Sequence, residues 1–191
     1  AAAPVAAQRV VDFVQLDASS DSVSFVAARA AGDARAPAPP ALMSATYSRW
    51  DGGEAASVGA VWRIALPGGA HAASLGAGVG ADHWRSRTDN ASDSAASLRV
   101  QAESYGPAPL GHYYVLAQAS SFRQRWFATA QYDPAPSPLA FELSRQGEHG
   151  YHASTLALRI AIGRGGWSLR AGSVRDGAGR RAFVGIGYNG F

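Results

Sequence analysis

Cysteine is absent from this sequence, which removes disulfide frameworks, thiolate zinc sites and cysteine nucleophiles together. The absence also suits a chain that crosses an oxidising periplasm unfolded. Charge is scarce: Asp, Glu, Lys and Arg make up 16% of 191 residues, against about a quarter in an ordinary soluble domain. No stretch is apolar for the eighteen or so residues a transmembrane helix needs without meeting a glycine or a charge. If the chain spans a membrane, it does so as a closed sheet. Basic residues are spread singly and never reach a run of about five, so the formal net charge of +3 does not make nucleic acid an expected partner. Helix signals are missing too, since no capped segment repeats apolar residues at helical spacing for more than a turn or two.

What is present is alternation. Hydrophobic residues reach 47%, with Ala the commonest, Gly is abundant, and Phe, Trp and Tyr reach 10%. Period-two patterning recurs over almost the whole length and predicts an all-β chain. The expected strands are Arg9 to Asp17, Ser22 to Ala30, Leu42 to Trp50, Ala55 to Leu66, His71 to Trp84 and Ser97 to Tyr105, followed by His112 to Ser120, Arg125 to Tyr132, Leu139 to Gln146, Tyr151 to Ile162, Trp167 to Val174 and Arg181 to Tyr188. Their lengths match what crosses a bilayer at a tilt. Breaker clusters at Pro67-Gly68-Gly69, Gly106 to Pro109, Asp133 to Pro138, Gly163 to Gly166 and Asp176 to Gly179 separate them.

The chemistry of the two faces separates a membrane barrel from a soluble sandwich. In Ser97 to Glu103 one parity is Leu98, Val100 and Ala102, and the other is Ser97, Arg99, Gln101 and Glu103. Val58, Ala60, Trp62, Ile64 and Leu66 repeat the apolar row, as do Leu156, Leu158, Ile160 and Ile162. A sandwich would place many long charged residues on its solvent face, whereas these polar faces carry Ser, Thr, Gln, Gly and single charges. The expectation is a closed antiparallel transmembrane β-barrel of about twelve strands, with ten as the alternative if 1–40 forms a separate hairpin and Pro-rich loop. An even count puts both chain ends in the periplasm, where turns are short, and places the polar loop Arg85 to Ala95 outside. The long segment Ala31 to Pro40 then falls on the periplasmic side. By the same parity, Leu158→Arg is expected to impair folding far more than Ala157→Arg.

The chain resembles bacterial outer-membrane β-barrel proteins as a broad class, most clearly over Leu42 to Phe191. The residue carrying that resemblance best is the terminal aromatic Phe191, after the alternating strand Ala182 to Tyr188. In that class a terminal aromatic serves as a signal to the outer-membrane assembly machinery, which the resemblance implies as a partner together with outer-membrane lipid. The parity departs from the usual pattern, because Gly185, Gly187 and Asn189 share the face of Phe191. The start, Ala1-Ala2-Ala3-Pro4, reads like the residues just after a small-residue cleavage site, so an exported protein with its signal peptide removed is expected in the cell outer membrane.

The expected lumen lining is Arg63, Asp82, Arg99, Glu103, Arg125, Glu142, Arg159 and Arg170. Five arginines against three acids predict a polar passage with a positive bias. Gly76, Gly78 and Gly80 share one face and would leave the lumen open there or admit a neighbouring element. Trp50, Trp62, Trp126, Tyr132, Trp167 and Tyr188, near strand ends, read as aromatics of the membrane interface. The five histidines lack ligand spacing, so no metal or other cofactor is expected. His152 and Ser154 share a strand face in a His-x-Ser arrangement similar to that of some lipid A deacylase barrels, with Glu142 or Glu148 as the carboxylate such a site needs. The leading function is a pore or export component for polar solute, with polysaccharide as one candidate. The alternative is a docking barrel with a filled lumen, anchoring a periplasmic or envelope protein in a secretion assembly. A lipid A-modifying enzyme ranks third, and the chain is read as a non-enzyme.

Overall fold

The computed structural model describes residues 11–31, 41–68, 70–163 and 165–190. They form twelve strands: β1 (Val11–Ser19), β2 (Ser22–Ala31), β3 (Ala41–Trp50), β4 (Gly53–Leu66), β5 (Ala72–Ser86), β6 (Ser92–Ala108), β7 (Gly111–Ser120), β8 (Trp126–Pro134), β9 (Leu139–Glu148), β10 (Tyr151–Ile162), β11 (Trp167–Asp176) and β12 (Gly179–Asn189). Each pairs antiparallel with its sequence neighbours, and β1 pairs with β12 to close the sheet. The first two strands are therefore part of the barrel wall, and the count is twelve, not ten. Following the register once round the sheet displaces the start by roughly 14 residues, which for twelve strands means a tilt of about 40° and a backbone radius of about 11 Å.

The rows follow the alternation. Leu98 is 69% exposed and Ile64 73%, while Arg99 and Gln101 are 5% and 6% exposed on the opposite face. Aliphatic side chains thus form a continuous outward belt from Val14 and Leu16 on β1 round to Val184 and Ile186 on β12. Left in water this belt would be a very large apolar patch, whereas a bilayer solvates it. No described helix is long and apolar enough to cross a membrane.

The ends of the barrel differ from expectation in two ways. The polar loop placed at Arg85 to Ala95 shrinks to 87–91, because β5 and β6 keep pairing to Arg85 and Ser92. Connections at this rim, opposite the chain ends, are as short as 20–21, 51–52, 149–150 and 177–178, so longer loops do not mark one side. Ser, Asp and Arg in that segment pair as readily as they loop, since both strand faces are wet beyond the membrane. Positions 32–40 of the Pro-rich segment, and Phe191, lie outside the described residues.

Candidate functional site: the inward wall

Arg63, Asp82, Arg99, Glu103, Glu142, Arg159 and Arg170 all stand on inward rows, and Arg125 lies at the mouth just before β8. Their side chains do not project singly toward the axis. Arg99 of β6 reaches sideways along the wall, donating to Asp82 of β5 and to the Ser57 hydroxyl and Val58 carbonyl of β4. A Cβ built on Gly59 or Gly80 would collide with its guanidinium. Gly59 of β4 and Gly80 of β5 are thus a floor on which Arg99 lies, and Gly76 of β5 does the same for Val61. They do not widen the bore.

The same construction recurs around the ring. Arg63 of β4 donates to Glu103 of β6 at 2.6 Å, and Ser74 of the intervening β5 donates to the same carboxylate at 2.8 Å. Arg170 of β11 forks between Glu142 of β9, at 2.6 Å, and Asp17 of β1. Arg159 pairs with Asp133 at 2.8 Å. At the rim opposite the chain ends, Arg181 holds Asp21 and Asp176, and Arg125 holds Glu148. Among the described residues, seven arginines (63, 99, 123, 125, 159, 170 and 181) meet eight carboxylates (Asp17, Asp21, Asp82, Glu103, Asp133, Glu142, Glu148 and Asp176). The five-to-three excess of positive charge disappears, because acids from strand ends and turns not counted as inward complete the pairs. A signal for this was present: all 17 basic residues are arginine, whose planar fork can bridge two carboxylates while lying flat, which a lysine cannot do.

Packing also corrects the view of Ala157 as a tolerant inward position. It is 1% exposed, between Glu142 and Gly172 on the adjacent strands. An arginine there would have to displace the Arg170 pair.

At the mouth, the β7–β8 connection folds into a short 3-10 turn, η1 (Phe122–Gln124). Phe122 is 5% exposed. Arg123 lies 3.9 Å over the ring of Trp84 on β5 and pairs with Glu148 of β9, tying together two strands that flank the turn on either side. Arg123 and Gln124 both have a φ of 51°, an unfavourable conformation for residues with side chains that the surrounding contacts hold in place.

The aromatics divide. Trp62, Trp126, Tyr132, Trp167 and Tyr188 are on outward rows, and the rings of Trp167 and Tyr188 pack in a tilted arrangement with centroids 5.2 Å apart on the rim of the chain ends. Trp50 stands on the inward row of β3 and packs at Gly52 and Gly53, so it belongs to the mouth and not to the lipid interface. His152 and Ser154 face outward, whereas Glu142 faces inward and Glu148 is engaged by Arg123 and Arg125. No carboxylate of the proposed set reaches them, so the arrangement lacks the acid a hydrolytic triad needs. Among the described residues, no group of three or more His, Asp or Glu is placed to hold a metal ion.

No protein-family model matches the chain, and no curated protein matches it. Solved structures do. A KdgM porin is similar with a TM-score of 0.56 and 11% identity over 94% of this chain and 98% of that one. A KdgM porin in complex with disordered oligogalacturonate gives 0.55 and 11% over the same shares, 94% and 98%. The outer membrane protein Omp33 of Acinetobacter baumannii gives 0.55 and 11% over 96% and 100%. The chain has the fold of bacterial outer-membrane β-barrels of this size.

Proposed function

We propose that the protein is an outer-membrane pore for polar, polyhydroxylated solutes, oligosaccharides from polysaccharide among them. The observation that carries the reading is the inward wall: hydroxyls, amides and charge pairs laid along the sheet, surrounded by a belt that only a bilayer satisfies. Such a wall offers a sugar many donors and acceptors while presenting little net charge, so it discriminates weakly between anions and cations. The likeness to a porin solved with an oligogalacturonate agrees with this choice of solute.

A filled anchor for an envelope partner is the second reading, favoured by η1 lying across one side of the mouth with Phe122 buried. Planar-bilayer recording decides between them. The pore reading expects conductance steps with a reversal potential near zero in a salt gradient, and a shift toward cation preference in Arg159→Gln, which leaves Asp133 unpaired. Folded barrels that give no steps would overturn it. Swelling of vesicles in neutral oligosaccharide then tests the solute class, and exclusion of those sugars by a conducting barrel would reject the polyhydroxylated substrate.

A further inference from the structure

The arginines that face outward are distributed differently from those inside. At the rim away from the chain ends, Arg145 of β9, Ser154 of β10, Arg175 of β11 and Arg180 of β12 are consecutive cross-strand neighbours in one row on the outer face. All four are exposed. Among the described residues, none of these three arginines has a carboxylate partner; Arg145 instead lies 5.9 Å over the Trp126 ring, which in turn faces His152 at 6.1 Å. Arg145 and Arg175 both sit directly opposite Ser154 and so start roughly 10 Å apart, close enough for two guanidiniums to converge above its hydroxyl.

Elsewhere on the same rim the pattern is broken by an acid: Arg49 and Arg85 flank Glu54 in their shared row. The strip on β9 to β12 is therefore cationic, and it stands immediately above the apolar belt. The next row along the same strands is Leu143, Leu156, Ser173 and Ala182, and the one beyond is Phe141, Leu158, Ala171 and Val184. Leu143 and Leu156 are 60% and 59% exposed. A ligand satisfying both levels carries acyl chains below and phosphate above.

We infer that Arg145, Arg175 and Arg180, with Ser154 between them, bind the phosphorylated headgroup of a lipid in the adjacent leaflet. Three guanidiniums with no carboxylate partner among the described residues, at the edge of the belt, supply charge-assisted, bidentate donors to phosphate oxygens, and an interfacial arginine gains most where the surface is anionic. The proposal rests on the reading that the barrel spans a membrane. It does not depend on conduction.

The full chain, folded into vesicles of zwitterionic lipid, would be titrated with lipid A bearing its phosphates and with the same lipid dephosphorylated, and bound lipid would be counted after detergent extraction. Preferential retention of the phosphorylated form is expected, with affinity falling about 100-fold in Arg145→Gln/Arg175→Gln/Arg180→Gln and little changed in Arg49→Gln/Arg85→Gln. Inorganic phosphate at matching concentration should not displace it. Equal retention of both lipids, unchanged binding by the triple variant, or full displacement by inorganic phosphate would overturn the inference. Folding is read separately from heat-modifiable gel mobility: a wild-type chain that never inserts overturns the membrane reading, while an inserted barrel indifferent to phosphate overturns only the lipid site. If the triple variant fails to fold, the single substitution Arg175→Gln carries the test, with a smaller loss expected.

Discussion

Arg170 inside the barrel and Arg175 outside it obey opposite rules. Arg170 has a side chain 3% exposed and two carboxylates in its fork, whereas Arg175, five residues along the same strand, is exposed and has none among the described residues. Within the wall a guanidinium is out of water, so it persists only where acids and hydroxyls replace its hydration. At the outer rim, water and headgroups supply that hydration and pairing is unnecessary. One strand thus carries both solutions, separated by its pleat.

The sharpest way to break this contrast is to remove each cation in turn. Arg170→Ala strands Glu142 and Asp17 together in a closed part of the wall and is expected to cost about 3 to 5 kcal/mol. Arg175→Ala should stay within about 0.5 kcal/mol, as surface changes do. Arg170→Lys falls between, because a single ammonium cannot fork to both acids. Urea unfolding of the vesicle-bound barrel measures all three. Similar small losses for Arg170→Ala and Arg175→Ala would show that the inward pairs are not needed for the fold.

A new arginine tests the same rule from the other direction. Leu158 lies on the outward face two rows below the cationic strip, and Leu158→Arg is expected to cost about 2 to 4 kcal/mol near mid-bilayer. Ala28 is inward on β2, with uncharged cross-strand neighbours Phe13 and Ser44 and partial exposure. Ala28→Arg should therefore be tolerated. Ala157→Arg, also inward but tightly covered beside Glu142, should destabilise far more than Ala28→Arg, because the new side chain both overpacks the wall and displaces the Arg170 pair. Unfolding midpoints ranking Ala28→Arg below Leu158→Arg would reject the assignment of faces.

Which of these features could be read from the residues follows from their range. Facing is a local property: period two in Ser97 to Glu103 or Thr155 to Ile162 fixes inside and outside without knowledge of any partner. Strand ends were displaced by a few residues wherever polar pairing continued beyond the membrane, as in β6 to Ser92 and β11 to Asp176. Pairing is not local. Arg170 and Asp17 are 153 positions apart and meet only because β12 closes on β1. The inward glycines were ambiguous for a related reason: a glycine can make space, but what enters is set by the neighbouring strand, and at Gly59 and Gly80 it is the side chain of Arg99. Trp50 looked like an interface aromatic because it stands at a strand end, yet the pleat turns it into the mouth, on the same face as Trp84 of β5.

The mildest test concerns the intermediate case, a pair at the rim that is neither sealed nor free. Asp21 lies in the turn between β1 and β2, where the Ser19 hydroxyl, and after it Arg181, hold its carboxyl below the ordinary carboxylate range. A carboxyl whose pKa is lower in the folded chain stabilises the fold above its unfolded pKa of about 4 and loses that contribution as pH falls through the folded value. Because the turn is open to solvent and Arg181 is also held by Asp176, the effect should be small. Asp21→Asn removes it without changing the shape of the turn. Wild type should therefore melt slightly higher than Asp21→Asn at neutral pH, and the difference should shrink toward zero on acidification, while contributions common to both proteins cancel in the difference. A difference in melting temperature that stays constant across that range would mean that the Asp21 contact is structural packing and that its charge contributes nothing.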